Sequence, residues 1–427
     1  MRISTSMTYH KNLKYIQDAN SKLDKTSEKY NTGDAFQTAG EDPAGMSAKI
    51  KYESAIASYK QYSRNASLAA DTLSEEETAL GSMWTALNKA HTRVIQSVDS
   101  TNNADNFDAI AEDLLQLQSQ LFDLMNSQNA EGEYIFSGSN STQQTMTLNS
   151  MGRYICNANG SVNQVQVAPN VYVQVSDSGL NIFENCDIAR DFTVTDDSDA
   201  LVYSQVANYD NFNTIFSKYH YTQADTGPMP ANANTLTLDV ADGQYTIKVY
   251  DTKNSQFVTL AEGEVENDGT IRTQGFEFKL KSADFSGTIT AKLGTWTDES
   301  GSGVYKDETK YKDNILNQLT KIIDTLKDDT LTTQQRTAAL ATAQETIQLA
   351  MDQYDIYRGR VGSRETEIDT VIASDNALAA IKNTAKANIT QADAIETASE
   401  LAQYQQMLSA SRTIYSKIQG TSLFDYI

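Results

Sequence analysis

Hydrophobic residues recur at a seven-residue spacing near both ends of the chain. Near the start, four positions step by seven: Tyr9, Ile16, Leu23 and Tyr30. Near the end, one row contains Ala387, Ala394, Leu401, Leu408 and Tyr415, and a companion row contains Tyr404, Ser411 and Ile418. This period is typical of coiled-coil helices, whose narrow apolar stripe faces a partner helix. The pattern therefore predicts that the two ends of the chain pair as helices.

Helical spacing continues inward from each end. After a break at 31–34, Asp42-Pro43 predicts a helix start, with Asp as the N-cap and Pro at the first helical position. This helix is expected to reach about Ser100 and carries Ile50, Ile56, Leu68, Leu73, Leu80, Leu87 and Val94. Three more helices are predicted, one with Ile110, Leu114, Leu117, Leu121 and Leu124, one with Ile315, Leu319, Ile322 and Leu326, and one that begins near Thr332 or Thr333. Gly359 and Gly362 either interrupt the last of these or permit a close helix contact.

Strand signals dominate from about 133 to 295. The change from helix to strand is predicted at 132–138, and alternating runs follow at 165–167 and 171–175. The strongest hairpin signal is 236–240 and 245–249 around Asp242-Gly243, and a second Asp-Gly pair at 268–269 precedes the run 276–280. The stretch 227–230 is typical of a linker, so the β region is expected to contain up to two lobes.

The predicted fold class is α+β, with long helices from both chain ends packed as a coiled coil or helical bundle and a mainly-β segment inserted between them. We expect three domains: a terminal inner domain from 1–42 and 385–427, a helical middle domain from 43–139 and 306–384, and a β outer domain from 140–305.

The composition restricts the partners. The hydrophobic fraction is 39% and the formal net charge is -22 at pH 7. Binding a polyanion requires clustered Lys and Arg, and no such cluster is visible, so nucleic acid and anionic membranes are not expected partners. No apolar run approaches the roughly 20 residues that span a bilayer. The N-terminal segment also lacks the apolar core of a cleaved signal peptide.

No constellation of residues predicts catalysis, a cofactor or a metal. The three histidines, His10, His91 and His220, lie in different segments without ligand partners at metal-binding spacing. The acidic clusters at 75–77, 196–197 and 328–329 do not follow a calcium-loop pattern, and solvated faces are the expected interpretation. Cys156 and Cys186 are equally compatible with a disulfide and with two free thiols.

The terminal rows are short and interrupted by polar and small residues such as Asn20, Ser27 and Ser411. A two-helix unit of this kind buries too little apolar surface to be stable alone. Our hypothesis is that residues near 1–40 and 385–427 become ordered only on polymerisation. The candidate functional site is therefore an assembly interface formed by Tyr9, Ile16, Leu23, Tyr30, Leu401, Tyr404, Leu408, Tyr415 and Ile418.

Several short motifs resemble those of a known family, the flagellar hook–filament junction proteins, which are relatives of flagellin. The start Met1–Thr5, with Met7, Tyr9 and Asn12, is similar to the family's start, and the ending 419–427 is similar to its terminus. The segment 30–33 followed by 41–45 resembles its "Ser-Thr-Gly … Asp-Asp-Pro" stretch, although Glu41 replaces the usual first Asp and the basic pair after the glycine is missing. Arg358 to Gly362 resembles its "Arg-x-x-Leu-Gly" stretch. The exit into the outer domain resembles "Gly-x-Tyr-Ile-Phe-x-Gly", which here comprises Gly132, Tyr134, Ile135, Phe136 and Gly138.

The resemblance implies a structural subunit of the bacterial flagellum, exported unfolded without a cleaved signal peptide and located outside the cell. Its partners would be further copies of itself in a ring or helical array, flagellin, another hook-associated protein and a cytoplasmic export chaperone. Two alternatives stay open. A filament flagellin is disfavoured by the two terminal sequences. A surface protein with a glycan-binding β domain on helical stalks is disfavoured by the lack of paired aromatic and carboxylate motifs.

Overall fold

The computed structural model describes residues 5–98, 104–196, 199–222, 229–298 and 305–424. Their helices are α1 (Thr5–Thr32), α2 (Pro43–Ser97), α3 (Ala104–Met125), α4 (Tyr209–Tyr219), α5 (Ile315–Lys327), α6 (Thr333–Thr390) and α7 (Ala394–Phe424), with one π-helical turn at Leu180–Glu184. The first eight strands are β1 (Met146–Leu148), β2 (Tyr154–Cys156), β3 (Gln164–Ala168), β4 (Val171–Gln174), β5 (Cys186–Asp187), β6 (Phe192–Asp196), β7 (Leu201–Val206) and β8 (Thr235–Ala241). The others are β9 (Gln244–Asp251), β10 (Gln256–Glu264), β11 (Thr270–Thr273), β12 (Phe276–Leu280), β13 (Gly287–Leu293), β14 (Trp296–Asp298), β15 (Tyr305–Asp307) and β16 (Lys312–Asp313).

The predicted α+β class is confirmed, because long helices come from both chain ends and a mainly-β region lies between them. The ends of the helices follow the local signals. Gly33 adopts a φ of +73° immediately after α1, a conformation that costs glycine little. Asp42 caps α2 by accepting a hydrogen bond from the Gly45 N–H at 2.9 Å. At the start of α6, Thr332 and Gln335 exchange backbone-to-side-chain hydrogen bonds as a capping box.

The long helix α6 runs without interruption through Gly359 and Gly362. A Cβ atom added at either glycine would meet no other atom within 4 Å. These glycines therefore neither interrupt the helix nor mark a close helix contact within the described residues. The sequence left open whether these glycines interrupt the helix or permit a close contact, and neither is the case in the structure.

The chain forms two compact units. One consists of the described residues of Met1–Ser67, Gln166–Tyr172 and Ile368–Ile427, and the other of those of Leu68–Val165 and Val173–Glu367. The division into inner, middle and outer domains stays a prediction.

Within the second unit, the described residues of 192–293 form a β-sandwich. Its five-stranded sheet has the order β10-β9-β8-β13-β6, and its three-stranded sheet has the order β11-β12-β7. Helix α4 joins these sheets in one core, in which Phe212, Phe276 and Phe278 are fully buried. The hairpin β8–β9 is confirmed, with Ala241 paired to Gln244. Its turn residues Asp242 and Gly243 both have positive φ, 53° and 75°, as a type I′ turn requires.

One prediction within the β region is wrong. The exit segment 132–138 is a series of turns, and the first strand begins only at Met146. The predicted turn at Asp268-Gly269 is present and precedes β11, and a further turn at Gln274 and Gly275, with φ of 51° and 89°, leads directly into β12. Helix α4 was not anticipated. Gly227 and Pro228 of the proposed linker lie outside the described residues, and the chain on both sides of 227–230 contributes to the one sandwich core.

Two helical predictions also need correction. Leu73, Leu80, Leu87 and Val94 of α2 are fully buried, but Ile50 and Leu68 are 59% and 67% exposed. The row that begins with Ala387 is interrupted, because α6 ends at Thr390 and α7 begins at Ala394. Ala387 and Ala394 therefore lie on different helices, and only the positions from Ala394 onward share one helix.

Candidate assembly site

The two terminal helices lie side by side in antiparallel orientation within the first unit. The ring centroids of Tyr9 and Tyr415 are 5.4 Å apart. Further along, the Lys22 ammonium lies 5.8 Å from the centre of the Tyr404 ring. Contacts of this kind pair the start of α1 with the end of α7, as the two seven-residue rows predict. A hydrogen bond between the Tyr9 and Tyr415 side chains raises the pKa of Tyr415 above its usual value.

The predicted interface residues differ in how far this pairing covers them. Leu408 is buried, whereas Ile16, Leu23, Leu401, Tyr404 and Tyr415 are half-buried. Leu23 and Leu408 share the lining of a groove of about 360 Å³. Tyr9 and Tyr30 are 36% and 51% exposed, and the side chain of Ile418 lies outside the described residues. The pairing of α1 with α7 therefore covers only part of the predicted set.

Besides Leu408, the buried positions of the pair are small residues that hydrophobic spacing does not reveal. Ala19, Thr26 and Thr397 are 7%, 5% and 5% exposed. Ala19 and Thr26 are themselves seven residues apart, and Thr397 lies seven residues before Tyr404. Small side chains permit close approach of helix backbones. A search for small residues at the heptad period would have identified them.

Large apolar side chains also point away from this pair. Met7, Tyr15, Ile395, Met407 and Ile414 of α1 and α7 are 65%, 52%, 85%, 47% and 54% exposed. A pair of helices has one mutual face, so residues elsewhere on each helix can be covered only by additional elements. Large exposed apolar side chains on one pair of helices are therefore candidates for contact with other elements or other chains.

Backbone hydrogen bonds hold the inner end of the pair. The Ala35 N–H donates to the Thr390 carbonyl at 2.7 Å, and the Ala392 N–H donates to the Gly33 carbonyl at 2.8 Å. Asp34 and Gln391 form an isolated antiparallel bridge between these two bonds. The break after α1 and the break before α7 are thus joined to each other. The segment at 391–393 that interrupts the predicted heptad row is what makes this junction.

The segment that follows the junction packs tightly against the start of α2. Phe36 is 4% exposed, and a Cβ atom added to Gly45 would approach its ring to 2.6 Å. Glu41 accepts a hydrogen bond from the Gln37 N–H at 2.9 Å. That backbone hydrogen bond lowers the pKa of the Glu41 carboxyl. Glu41 therefore still accepts a structural hydrogen bond at the position where the family pattern has an aspartate.

The exit motif occupies a compact set of turns in the second unit. Phe136 is fully buried and packs edge-to-face on Phe183 with centroids 5.1 Å apart. The Tyr134 N–H donates to the Ser141 carbonyl at 2.8 Å, and the Ile135 N–H to the Ser127 carbonyl at 3.1 Å. Gly132 and Gly138 have φ of +81° and +72°. The motif anchors the end of α3 to the first part of the β region.

Among the acidic clusters, Glu76 is not on the solvated face that its sequence context predicts. It is fully buried in α2, and burial raises its pKa to about 8.

Among the described residues, no group of three His, Cys, Asp or Glu side chains could hold a metal ion. In the same residues, the helices that are long enough to cross a bilayer are all too polar to do so.

The two cysteines are free thiols. Cys186 is buried and Cys156 is half-buried, and burial raises their pKa values to about 12 and about 11. These thiols are therefore protonated at neutral pH and are poor nucleophiles. The sequence left their pairing open, and in this structure they do not form a disulfide.

Comparison with known proteins finds similarity to flagellar proteins. Residues 3–141 match the family model of the bacterial flagellin N-terminal helical region. The chain is similar to flagellar hook-associated protein 3 of Escherichia coli, with 27% identity over 185 residues that cover 43% of this chain and 57% of that protein. It is also similar to the protein of the same name from Salmonella typhimurium, with 31% identity over 138 residues that cover 32% of this chain and 44% of that protein. The matches therefore span about half the length of these relatives.

Solved structures support the fold. The flagellar junction protein FlgL from Legionella pneumophila superposes with a TM-score of 0.57 at 18% identity, over 80% of this chain and 99% of that one. FlgL from Xanthomonas campestris superposes with a TM-score of 0.55 at 18% identity, over 79% and 99%. At this level of identity the likeness establishes a shared architecture of terminal helices with a mainly-β insertion.

Proposed function

We propose that this chain, whose residues 3–141 match the flagellin N-terminal helical region, is a structural subunit of the bacterial flagellum that acts at the junction between hook and filament. Support comes from two relatives that are named flagellar hook-associated protein 3, each of which this chain matches over about half of its length. The proposed role is mechanical and non-enzymatic, and it places the working protein outside the cell.

The observation that carries this proposal is the exposed apolar surface of the α1–α7 pair. Ile395 is 85% exposed and Met7 is 65% exposed, on helices that are already paired with each other. Within the described residues, no other part of the chain covers these side chains. Contacts from neighbouring subunits would therefore be needed to bury them. A subunit whose terminal helices are completed by neighbours is suited to a helical assembly.

The assembly we propose is a ring of copies joined side by side through heterologous contacts. The predicted interface residues on α1 and α7 would supply axial contacts, and the helices of the middle domain would set the lateral register. The ring would lie between another hook-associated protein and the first flagellin subunits. Export would occur in an unfolded state without a cleaved signal peptide, with a chaperone covering the apolar row of α7 beforehand.

A deletion strain tests this function. Cells that lack the protein should keep secreting flagellin into the medium but fail to retain filaments, and the full-length gene should restore attached filaments. The proposal is wrong if the deletion strain retains attached filaments at the wild-type number. Loss of flagellin secretion together with the filaments would indicate a role in export.

The first alternative function is a filament flagellin. Purified flagellin polymerises by itself into long filaments, whereas a junction subunit of limited copy number should not. Negative-stain microscopy of the purified chain under polymerising conditions distinguishes the two. The second alternative, a glycan-binding surface protein, predicts saturable binding of the full-length chain on a glycan array.

A further inference from the structure

A buried cluster in the second unit contains two carboxyl groups and one guanidinium group. Glu76 of α2 is fully buried, and its Oε1 accepts a hydrogen bond from the backbone N–H of Asp177 at 3.1 Å. The Asp177 carboxylate accepts two hydrogen bonds from Arg364 of α6, at 2.7 and 3.1 Å. The segment that carries Asp177 is thereby connected to two helices at once.

The charges in this cluster balance only when one carboxyl group is protonated. Arg364 and Asp177 form a bidentate pair with side chains 17% and 6% exposed, which uses the single positive charge. The second oxygen of Glu76, Oε2, has no hydrogen-bond partner among the described residues. A buried carboxylate that lies beside another carboxylate without a cation of its own is unfavourable.

The charged groups that face Glu76 from the packed elements are Asp177 and Arg364. On α2 itself, Glu77 pairs with Arg358 at 2.9 Å, and Glu75 is exposed. From the segment 174–178, the Gln174 side-chain amide donates to the Asp177 Oδ1 at 2.8 Å and adds no charge. No second cation therefore compensates Glu76 within this described surrounding.

We propose that Glu76, Asp177 and Arg364 form a proton-dependent lock, which holds the segment 175–179 on α2 and α6 while Glu76 keeps its proton. When Glu76 loses the proton, the cluster carries a net negative charge in a buried position, and the segment opens more often. The Asp177 N–H is the amide that reports this opening, because its acceptor is the Glu76 carboxyl itself. The device is independent of any role in the flagellum.

The direction of the pH dependence follows from linkage. Burial, which is the main cause, and the Asp177 charge raise the pKa of Glu76 to about 8, from a value near 4.5 in the open state. The closed state binds the extra proton between these two pH values, so closure weakens as pH rises and is weakest above about 8. Because one bound proton corresponds to a tenfold change per pH unit, the protection factor of the Asp177 amide should fall by up to tenfold per unit from pH 6 to 8 and then level off.

Hydrogen–deuterium exchange of the full-length chain at pH 6, 7, 8 and 9 tests the lock. Protection factors correct for the intrinsic pH dependence of exchange. Glu76→Gln, which keeps the neutral form at every pH, should abolish the slope at residues 175–179. Glu75→Gln, a change of the exposed neighbouring glutamate, should leave the wild-type slope. An unchanged slope in Glu76→Gln, or a wild-type protein without a slope, overturns the proposal.

A second variant tests the lock even if Glu76→Gln fails to fold. Asp177→Asn removes the like charge and leaves Arg364 to face Glu76, so the pKa of Glu76 should fall and the levelling-off should move to lower pH. A levelling-off point that stays near pH 8 in Asp177→Asn would also contradict the lock, since it would assign the titration to a group that does not sense Asp177.

Discussion

Tyr9 and Tyr415 lie near opposite ends of a 427-residue chain, yet their ring centroids are 5.4 Å apart. This contact closes a loop that contains most of the chain, and chain entropy opposes such closure. The antiparallel pair of α1 and α7 offsets part of this entropy loss, but several of its large apolar residues remain exposed. The terminal pair is therefore the part of the chain whose stability should depend most on neighbouring subunits.

A charge at a half-buried position of the terminal helices should impair assembly more than folding. Ile16→Asp and Leu401→Asp place a carboxylate at half-buried positions that neighbours are proposed to cover. Desolvating that charge costs roughly 2 kcal/mol or more, so we expect at least tenfold fewer attached filaments per cell. Electron microscopy of cells counts the filaments, and circular dichroism of the purified chains measures folding.

Exposed glutamines on the same helices provide matched controls for these charge changes. Gln17→Asp and Gln403→Asp add the same carboxylate at exposed positions and should keep the number of filaments near that of the wild type. If the purified Ile16→Asp chain is itself unfolded, the assignment of Ile16 to an intersubunit contact is contradicted.

Limited proteolysis of the purified monomer should cleave both terminal regions before the central region. The reason is that the terminal helices bury little apolar surface by themselves. Mass spectrometry of the first fragments should place the early cuts within α1 and α7. Equal resistance of the ends and of the β-sandwich would show that the terminal pair is stable without neighbours.

Gly45 should tolerate no side chain. A Cβ atom there would lie 2.3 Å from the Asp42 carboxylate and 2.6 Å from the Phe36 ring, so Gly45→Ala must disturb both the cap of α2 and the packing of Phe36. We expect a loss of about 1–3 kcal/mol in the free energy of unfolding by urea. Gly40→Ala is the control, since its Cβ would be 3.9 Å from the nearest atom, and it should change stability little.

The two glycines of the exit motif should respond differently to alanine. Both have positive φ, so each Gly→Ala change carries a backbone cost of about 1–2 kcal/mol. At Gly138 the added Cβ would also lie 2.8 Å from the Asn159 carbonyl oxygen, whereas Gly132 has open space. Gly138→Ala should therefore lower the urea midpoint clearly more than Gly132→Ala. Equal midpoints would show that the surrounding turns move to admit the methyl group.

Burial along α2 predicts a contrast between two leucines. Leu80 is fully buried, while Leu68 is 67% exposed. Leu80→Ala should reduce the free energy of unfolding by about 2–5 kcal/mol through lost burial and a cavity. Leu68→Ala should reduce it by less than about 0.5 kcal/mol, the range of ordinary surface changes. A large loss in Leu68→Ala would instead indicate that this side chain is covered in the protein in solution.

Much of the candidate site could be predicted from local patterns. The seven-residue rows indicated that α1 and α7 face each other, because coiled-coil periodicity is a property of each helix alone. They could not show that Ala19, Thr26 and Thr397 are also among its buried positions. Close approach of two backbones selects small residues, and that approach is decided by the partner helix.

The sequence by itself determined the starts of α2 and α6, the heptad rows within single helices and the Asp242-Gly243 hairpin, since capping, periodicity and turn conformation depend on residues a few positions apart. Only the tertiary structure decided that Glu76 is buried beside Asp177, that the exit segment is folded as turns, and that α6 ends at Thr390. Each of these depends on segments that are distant in the chain. Packed helices desolvate the Glu76 carboxyl group. Hydrogen bonds with segments far away in the chain hold both the exit segment and the end of α6.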